Sequence, residues 1–210
     1  MIFSTHSEYF NEDGVQVPSS TTILKLINKP HLNKWANIMG FKHRKIEDIL
    51  ERSSDIGTTV HALIEKFVMK RDYIYSPTKH HSKDLIMTYL DPFITWFNKN
   101  DVEAFDMEIK MVSKRYGGTI DFYGKLNGKH TILDFKTSKA FHPSMFLQLG
   151  SYVQMMESKG NKVEQVAILR VNPELTAIKI MTREEIEPYI TCFNLLLDLF
   201  YRWSELTGEV

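Results

Sequence analysis

A single cysteine, Cys192, stands among the 210 residues. It excludes an internal disulfide and any four-cysteine zinc or iron–sulfur site built from this chain alone. Net charge is lacking too. Twenty-six Lys and Arg balance 26 Asp and Glu, so contact with a polyanion must come from a local patch rather than a bulk field. No apolar run reaches the length of a membrane span; the longest, near 193–200, is broken by Asp198. The opening MIFSTHSEYF carries Glu8 and neither an arginine-rich nor a long apolar segment. No signal or transit peptide is therefore expected, and the location read from this is cytoplasmic, the host's cytoplasm if the chain is viral. There is no GxxxxGK[ST] phosphate loop and no G-x-S-x-G elbow, which excludes a built-in ATP motor and an α/β-hydrolase nucleophile. Cys192, on a C-terminal helix, is expected in the core.

What remains is enough for a globular domain. Hydrophobic residues make up 43% of the chain and aromatics 12%, which argues against disorder. The length suits one domain, here residues 1–210 as a helical N-terminal elaboration (1–55) and a core (56–210). Charge is unevenly placed. Between 25 and 52 lie Lys25, Lys29, Lys34, Lys42, Arg44, Lys45 and Arg52 against Glu47, Asp48 and Glu51; from 183 onward the acids dominate. Each stretch also fits a solvated helical face.

The period of the apolar residues sets out the elements. Residues 7–17 read as a hairpin turning at Glu12-Asp13-Gly14. Ser19 and Ser20 start a helix that Pro30 closes, and 31–53 continue helical with a break at Gly40. Ser53 or Ser54 is expected to cap the next helix, with apolar residues at 60, 63, 64, 67 and 68. Residues 83–99 form another. Then the pattern alternates: strands at 106–115, 118–126 and 130–136, joined by Gly117-Gly118 and Asn127-Gly128. A helix over 142–159, strands over 162–171 and 176–181, and a helix over 183–205 complete the chain. The order predicts an α/β fold, a mixed central sheet flanked by helices.

The chemistry is concentrated in GGTIDFYGKLNGKHTILDFKTSK. Alternation puts Asp134 and Lys136 on one face, with Leu133 and Phe135 in the apolar layer. It puts Asp121 with Thr119 and Tyr123, and Ile120 with Phe122 on the other side. The Asn127-Gly128 hairpin lays these strands together, so Asp121 and Asp134 converge beside Lys136. Two close carboxylates repel unless a cation lies between them, and a hard divalent ion such as Mg²⁺ or Mn²⁺ answers that need. Such an ion lowers the pKa of water and stabilises charge on a phosphate, while the lysine orients water, helps deprotonate it or offsets charge. The same residues also fit a surface ion pair on an edge strand. His61 lies in the helix GTTVHALIE, where a lone histidine is more often structural than a ligand; Glu108, opening the first strand, adds a further acid or is a solvated strand-end acid. Gln148 and Tyr152, four apart, share a helix face.

Taken in order, GTTVH, Glu108, GGTID, DFK and QLGSY resemble the RecB-like branch of the PD-(D/E)XK nuclease superfamily, over about residues 57–152. The chain is similar to phage-type exonucleases and to the mitochondrial genome maintenance exonuclease group, and VPSSTTIL resembles that group's opening segment. The resemblance implies a restriction-endonuclease-like core with His61, Asp121, Asp134, the Phe135 carbonyl and, further, Glu108 as metal ligands. Lys136 becomes the catalytic lysine, acting with Asp121, Asp134, Gln148 and Tyr152. Unlike relatives with four cysteines, this chain should lack an iron–sulfur cluster.

The implied activity is that of an Mg²⁺- or Mn²⁺-dependent deoxyribonuclease. It would be an exonuclease on single-stranded DNA or DNA ends, cutting with metal-activated water in phage biology, repair or recombination. The basic stretch becomes a wall guiding DNA, with Lys42, Arg44, Lys45 and Lys139 as contacts and Trp35 or Phe41 for base stacking; Trp35 also fits an ordinary core position. A helicase or a single-strand-binding or annealing protein would be the partner, since no motor is built in. The alternatives are a structure-specific endonuclease and a non-cutting DNA-binding module.

Overall fold

A computed structural model describes residues 8–27 and 30–208, the side chains of 30–33 excepted. The chain opens on the two-stranded hairpin β1 (Tyr9–Phe10) and β2 (Gln16–Val17), turning at 12–14 with Gly14 at φ 73°. Ser19 caps the single turn α1 (Ser20–Ile23) by accepting the Thr22 N–H, and a 3₁₀ turn (Leu24–Leu26) follows. Pro30 does not close a helix. It opens α2 (Pro30–Phe41), in the first turn, where the N–H has no partner within the helix. The break falls at 42–45 rather than at Gly40, which lies inside α2.

Helix α3 (Ile46–Val68) then runs unbroken for 23 residues. Neither Ser53 nor Ser54 caps it. The Ser53 hydroxyl donates back to the Ile49 carbonyl at 2.8 Å, which satisfies a mid-helix serine without ending the helix. Helix α4 (Lys83–Lys99) starts on Ser82, which accepts the Leu85 N–H.

The sheet follows: β3 (Val102–Val112), β4 (Gly117–Leu126), β5 (Lys129–Lys136), then α5 (Pro143–Ser158), β6 (Gln165–Arg170), β7 (Ala177–Thr182) and α6 (Arg183–Thr207). Gly117 and Gly118 belong to β4 rather than to the turn before it. Strand order is β3-β4-β5-β6-β7. Only the β5–β6 pair is parallel, with α5 as its crossover; the others are antiparallel. The β4–β5 turn has Asn127 at φ 52° and Gly128 at φ 78°, two successive left-handed residues as a type I′ turn requires.

Alternation along β5 and β6 builds two apolar layers. Ile132, Val166 and Ile168 face α5 and α6, joining Leu149, Val153, Ile186 and Phe193. Leu133, Phe135, Ala167 and Leu169 face α3 and α4, joining Val60, Ile64, Ile86 and Phe93. The architecture is a mixed α/β fold, a five-stranded sheet with helices on both faces, and β5 is its central strand. Cys192 lies exposed on α6 rather than in the core. Among the described residues, no helix is long and apolar enough to cross a membrane.

Candidate active site

The site forms where the central strands come apart. The β4–β5 ladder ends at the rung Phe122↔Leu133. Beyond it β4 continues to Gly117 along β3, with one parallel bridge from Gly117 to Ser19, and β5 continues to Lys136 along β6. Strand N–H groups left inside a protein need another acceptor. At Phe135 that acceptor is a side chain: Asp121 Oδ2 takes the Phe135 N–H at 2.7 Å.

A second irregularity sits on the same rung. The pair Met107↔Phe122 packs toward α3 and α4, whereas Ile109↔Ile120, one rung of spacing further, packs toward α5 and α6. Residues two apart on a regular strand share a face, so both strands lose one step of alternation here. This corrects the expectation that Ile120 and Phe122 share a side. Between those rungs stand Glu108 and Asp121. Glu108 is interior to β3 rather than its opening residue, and its φ of 52° is left-handed. That costs a non-glycine residue about 1–3 kcal/mol and is seen where function holds it in place.

Helix α3 brings His61 over this gap. Its Nδ1 lies 3.4 Å from Asp121 Oδ2, and its ring meets Phe135 edge-on at 6.0 Å. His61, Glu108 and Asp121 each offer a ligand atom, all within 4.8 Å of one another. This donor set of two carboxylates and an imidazole suits a divalent cation.

Asp134 stands just beside this trio. It is 1% exposed, and Lys136 Nζ lies 2.9 Å from its Oδ1 and 2.7 Å from its Oδ2. Only the approach to Oδ1 has hydrogen-bond geometry; the buried Oδ2 has no hydrogen bond. The reading of Asp134 and Lys136 as a surface pair on an edge strand does not hold, because β5 is central and Asp134 is buried.

The electrostatics are those of crowded acids. Loss of water around the Glu108 carboxyl, although the residue as a whole is exposed, and repulsion from Asp121 raise its pKa to about 7. Burial raises that of Asp134 against the pull of Lys136. For Lys136, burial pulls downward, but Asp134 and Asp121 outweigh it and the net shift is upward. Burial and the same two acids push Tyr152 well above the ordinary phenol range.

Tyr152 reaches the site from α5, its hydroxyl accepting from Gln148 Nε2 at 2.7 Å. Gly118 makes room for it: a Cβ there would lie 2.7 Å from Tyr152 Cε1. Tyr9, which the sequence did not single out, packs where a Gly117 side chain would be and bonds Thr119 through its hydroxyl at 3.0 Å. The Gly117-Gly118 pair inside a strand was the available signal, since strand glycines mark close approach. Glu65 also lines this cleft of about 880 Å³, held by Arg71 at 2.7 Å.

The larger cleft, about 1100 Å³, is not the one holding the carboxylates. Trp35, Arg44, Lys45 and Lys139 line it, but Lys42 does not. Trp35 is half-buried there and Phe41 is 86% exposed. Lys45, Asp48, Arg52 and Ile56 line this basic cleft, and Gly57, His61 and Glu65, further along α3, line the acidic one.

No family model matches the chain, and no curated protein does. Among solved structures, SSO0001 is similar over 54% of this chain and 57% of that one, at 13% identity and a TM-score of 0.31. The chain therefore spans just over half the length of that protein. LHK-Exo, an alkaline exonuclease from Laribacter hongkongensis, is similar over 72% of this chain and 84% of that one at 12% identity. The TM-score is 0.28, and 0.32 for its complex with dAMP. Overlaps this slight carry no argument about activity, which rests on the residues of the cleft.

Proposed function

We propose that the chain is a divalent-metal-dependent deoxyribonuclease, an exonuclease on single-stranded DNA or DNA ends. The observation that carries this reading is the clustering of His61, Glu108 and Asp121 within 4.8 Å, next to the buried Asp134 and its partner Lys136. Asp134 is ion-paired to Lys136, and the carboxyls of Glu108 and Asp134 both have raised pKa values. A bound Mg²⁺ or Mn²⁺ fits that crowding. His61, Asp121 and Glu108 would hold it, with Asp134 and the Phe135 carbonyl as the further ligands expected from the sequence. When bound, the ion polarises a phosphate oxygen and makes water a better nucleophile.

The protein's own groups then have distinct tasks. Lys136 stays protonated because its two acid neighbours raise its pKa, so it acts as a fixed cation toward phosphate charge rather than as a base. Tyr152 keeps its proton, and because Gln148 donates to its oxygen, that proton is free to point at the cleft. Asp121 ties the ligand cluster to the β5 main chain through the Phe135 N–H. The basic cleft, with Arg44, Lys45, Lys139 and Trp35, would receive the strand, and Lys42 would stand at its margin.

The test is a time course in Mg²⁺ or Mn²⁺ with single- and double-stranded oligonucleotides labelled at either end, plus a circular single strand. Progressive loss from one end with the circle intact is the expected result. Cutting of the circle would make the chain an endonuclease, and no cutting with retained binding would make it a binding module.

A further inference from the structure

A further cleft, of about 380 Å³, opens on another face of α3. His61, Ala62 and Glu65 line the acidic cleft, whereas Leu63, Lys66 and Phe67 line this one. At about 100° of rotation per residue the two sets point in different directions. The chain makes the cleft by doubling back. After α3 it returns along that helix, with Arg71 against Glu65 at 2.7 Å and, further on, Lys79 against Glu51 at 2.8 Å. Helix α4 then runs beside α3, and Phe67 meets Phe93 edge-on at 6.0 Å and Phe97 at 5.4 Å. On α4, Lys83, Met87, Leu90 and Ile94 follow the four-three-four spacing of one helical face, and all four line the cleft. Its walls are mainly apolar, and Phe67 and Tyr73 are each more than a third exposed there. An apolar surface rimmed by polar groups marks an interaction site.

We propose that this cleft docks an acidic peptide segment of a partner protein, with an aromatic or leucine side chain as its anchor. The charges name the partner's chemistry. Lys66, Arg71 and Lys83 line the cleft and no Asp or Glu does, in a chain with no net charge. Arg71 donates to Glu65 through Nη1, which engages one of the five N–H donors a guanidinium carries. Lys83 is the first residue of α4, the end at which the helix dipole also favours an anion. A basic rim of this kind selects an acidic partner and turns away a basic one, while the apolar walls take the anchor that supplies most of the affinity. The volume lies at the low end of the roughly 300–1,000 Å³ of small-ligand sites, which suits an inserted side chain rather than a whole polymer. The cleft shares no lining residue with the acidic or the basic one, so the proposal goes beyond the nuclease reading and does not rest on it.

The experiment selects random twelve-residue peptides, displayed on phage, against the immobilised full chain. Enriched sequences should carry Asp or Glu around a Phe, Trp or Leu, and a synthetic copy with a fluorescent label should bind the chain in anisotropy. Lys83→Glu, a change at an exposed position, should weaken that binding at least tenfold with the melting temperature unchanged. Met87→Glu, which puts a charge on the apolar wall, should weaken it as much; if that variant melts early, Lys83→Glu decides alone. No enrichment, enrichment of peptides without acids, or equal binding to the parent and Lys83→Glu would overturn the proposal. Displacement of the bound peptide by oligo-dT would overturn it too, since the rim would then serve nucleic acid. Cleavage is not read at any step, so the nuclease reading stands or falls separately.

Discussion

Asp121 Oδ2 accepts the Phe135 main-chain N–H at 2.7 Å, across the point where β4 and β5 part. One carboxylate thus completes the sheet and faces the candidate metal ligands, so its two tasks come apart on mutation. Asp121→Asn keeps an amide oxygen for the Phe135 N–H and should fold as the parent does, yet lose metal binding and cleavage. Asp121→Ala leaves that buried N–H without an acceptor, a cost of about 1–3 kcal/mol. Urea melts of the two variants in chelator check this; equal stability would deny the structural half of the role.

Glu108 predicts the pH dependence. Its pKa rises from 4.5 to about 7 on folding, so the folded chain holds a proton that the unfolded chain releases. Between those values the contribution of this group to metal-free stability falls as pH rises. Glu108→Gln should flatten that fall, seen as a higher melting temperature than the parent at pH 8 and little difference at pH 4.5. Metal binding must displace the same proton. Mn²⁺ affinity measured by calorimetry should therefore drop about tenfold per unit of pH below 7 in the parent, and less in Glu108→Gln.

Lys136 is ion-paired with the buried Asp134. Lys136→Ala should cost on the order of 3 kcal/mol by leaving that carboxylate unpaired. Lys136→Met with Asp134→Asn should recover most of the loss without recovering any cleavage. Denaturant melts of the single and double variants provide the comparison, and a double variant no more stable than the single one would contradict it.

Gly118 tests the placement of Tyr152. A methyl group at 118 meets Tyr152 Cε1 at 2.7 Å and must push the ring away, so Gly118→Ala should lower kcat at least tenfold with a smaller change in KM. Gly118→Ala combined with Tyr152→Phe should be no slower than Gly118→Ala alone if both act through the phenol.

The fold was largely legible because its signals are local. The 3.6-residue period of α4, the alternation of β5 and β6, and Asn127-Gly128 each report on neighbours in the chain. The misreadings at Ser53 and Pro30 share a cause: a cap residue and a proline mark helix ends only in the right context, and Ser53 satisfies its hydroxyl inside α3. Of the site, Asp121 reaches the β5 main chain at Phe135, and His61 lies beside it. The left-handed Glu108 and the lost alternation step at Asp121 were invisible, because a strand defect shared by two chain segments leaves no periodic trace. The basic cleft was legible only in part. Arg44 and Arg52 stand in a basic stretch and Lys139 was expected with it, but Lys79 reaches the cleft from 27 residues beyond Arg52, by folding alone.

The most direct test of the account is cleavage of an end-labelled single-stranded oligonucleotide by the parent chain and by Asp121→Asn, titrated with Mn²⁺ from excess chelator upward. The account predicts no cleavage in chelator, saturable activation of the parent by Mn²⁺, and at least a thousandfold lower rate for Asp121→Asn at saturation. Cleavage that persists in chelator, or an Asp121→Asn rate near the parent's, would contradict it.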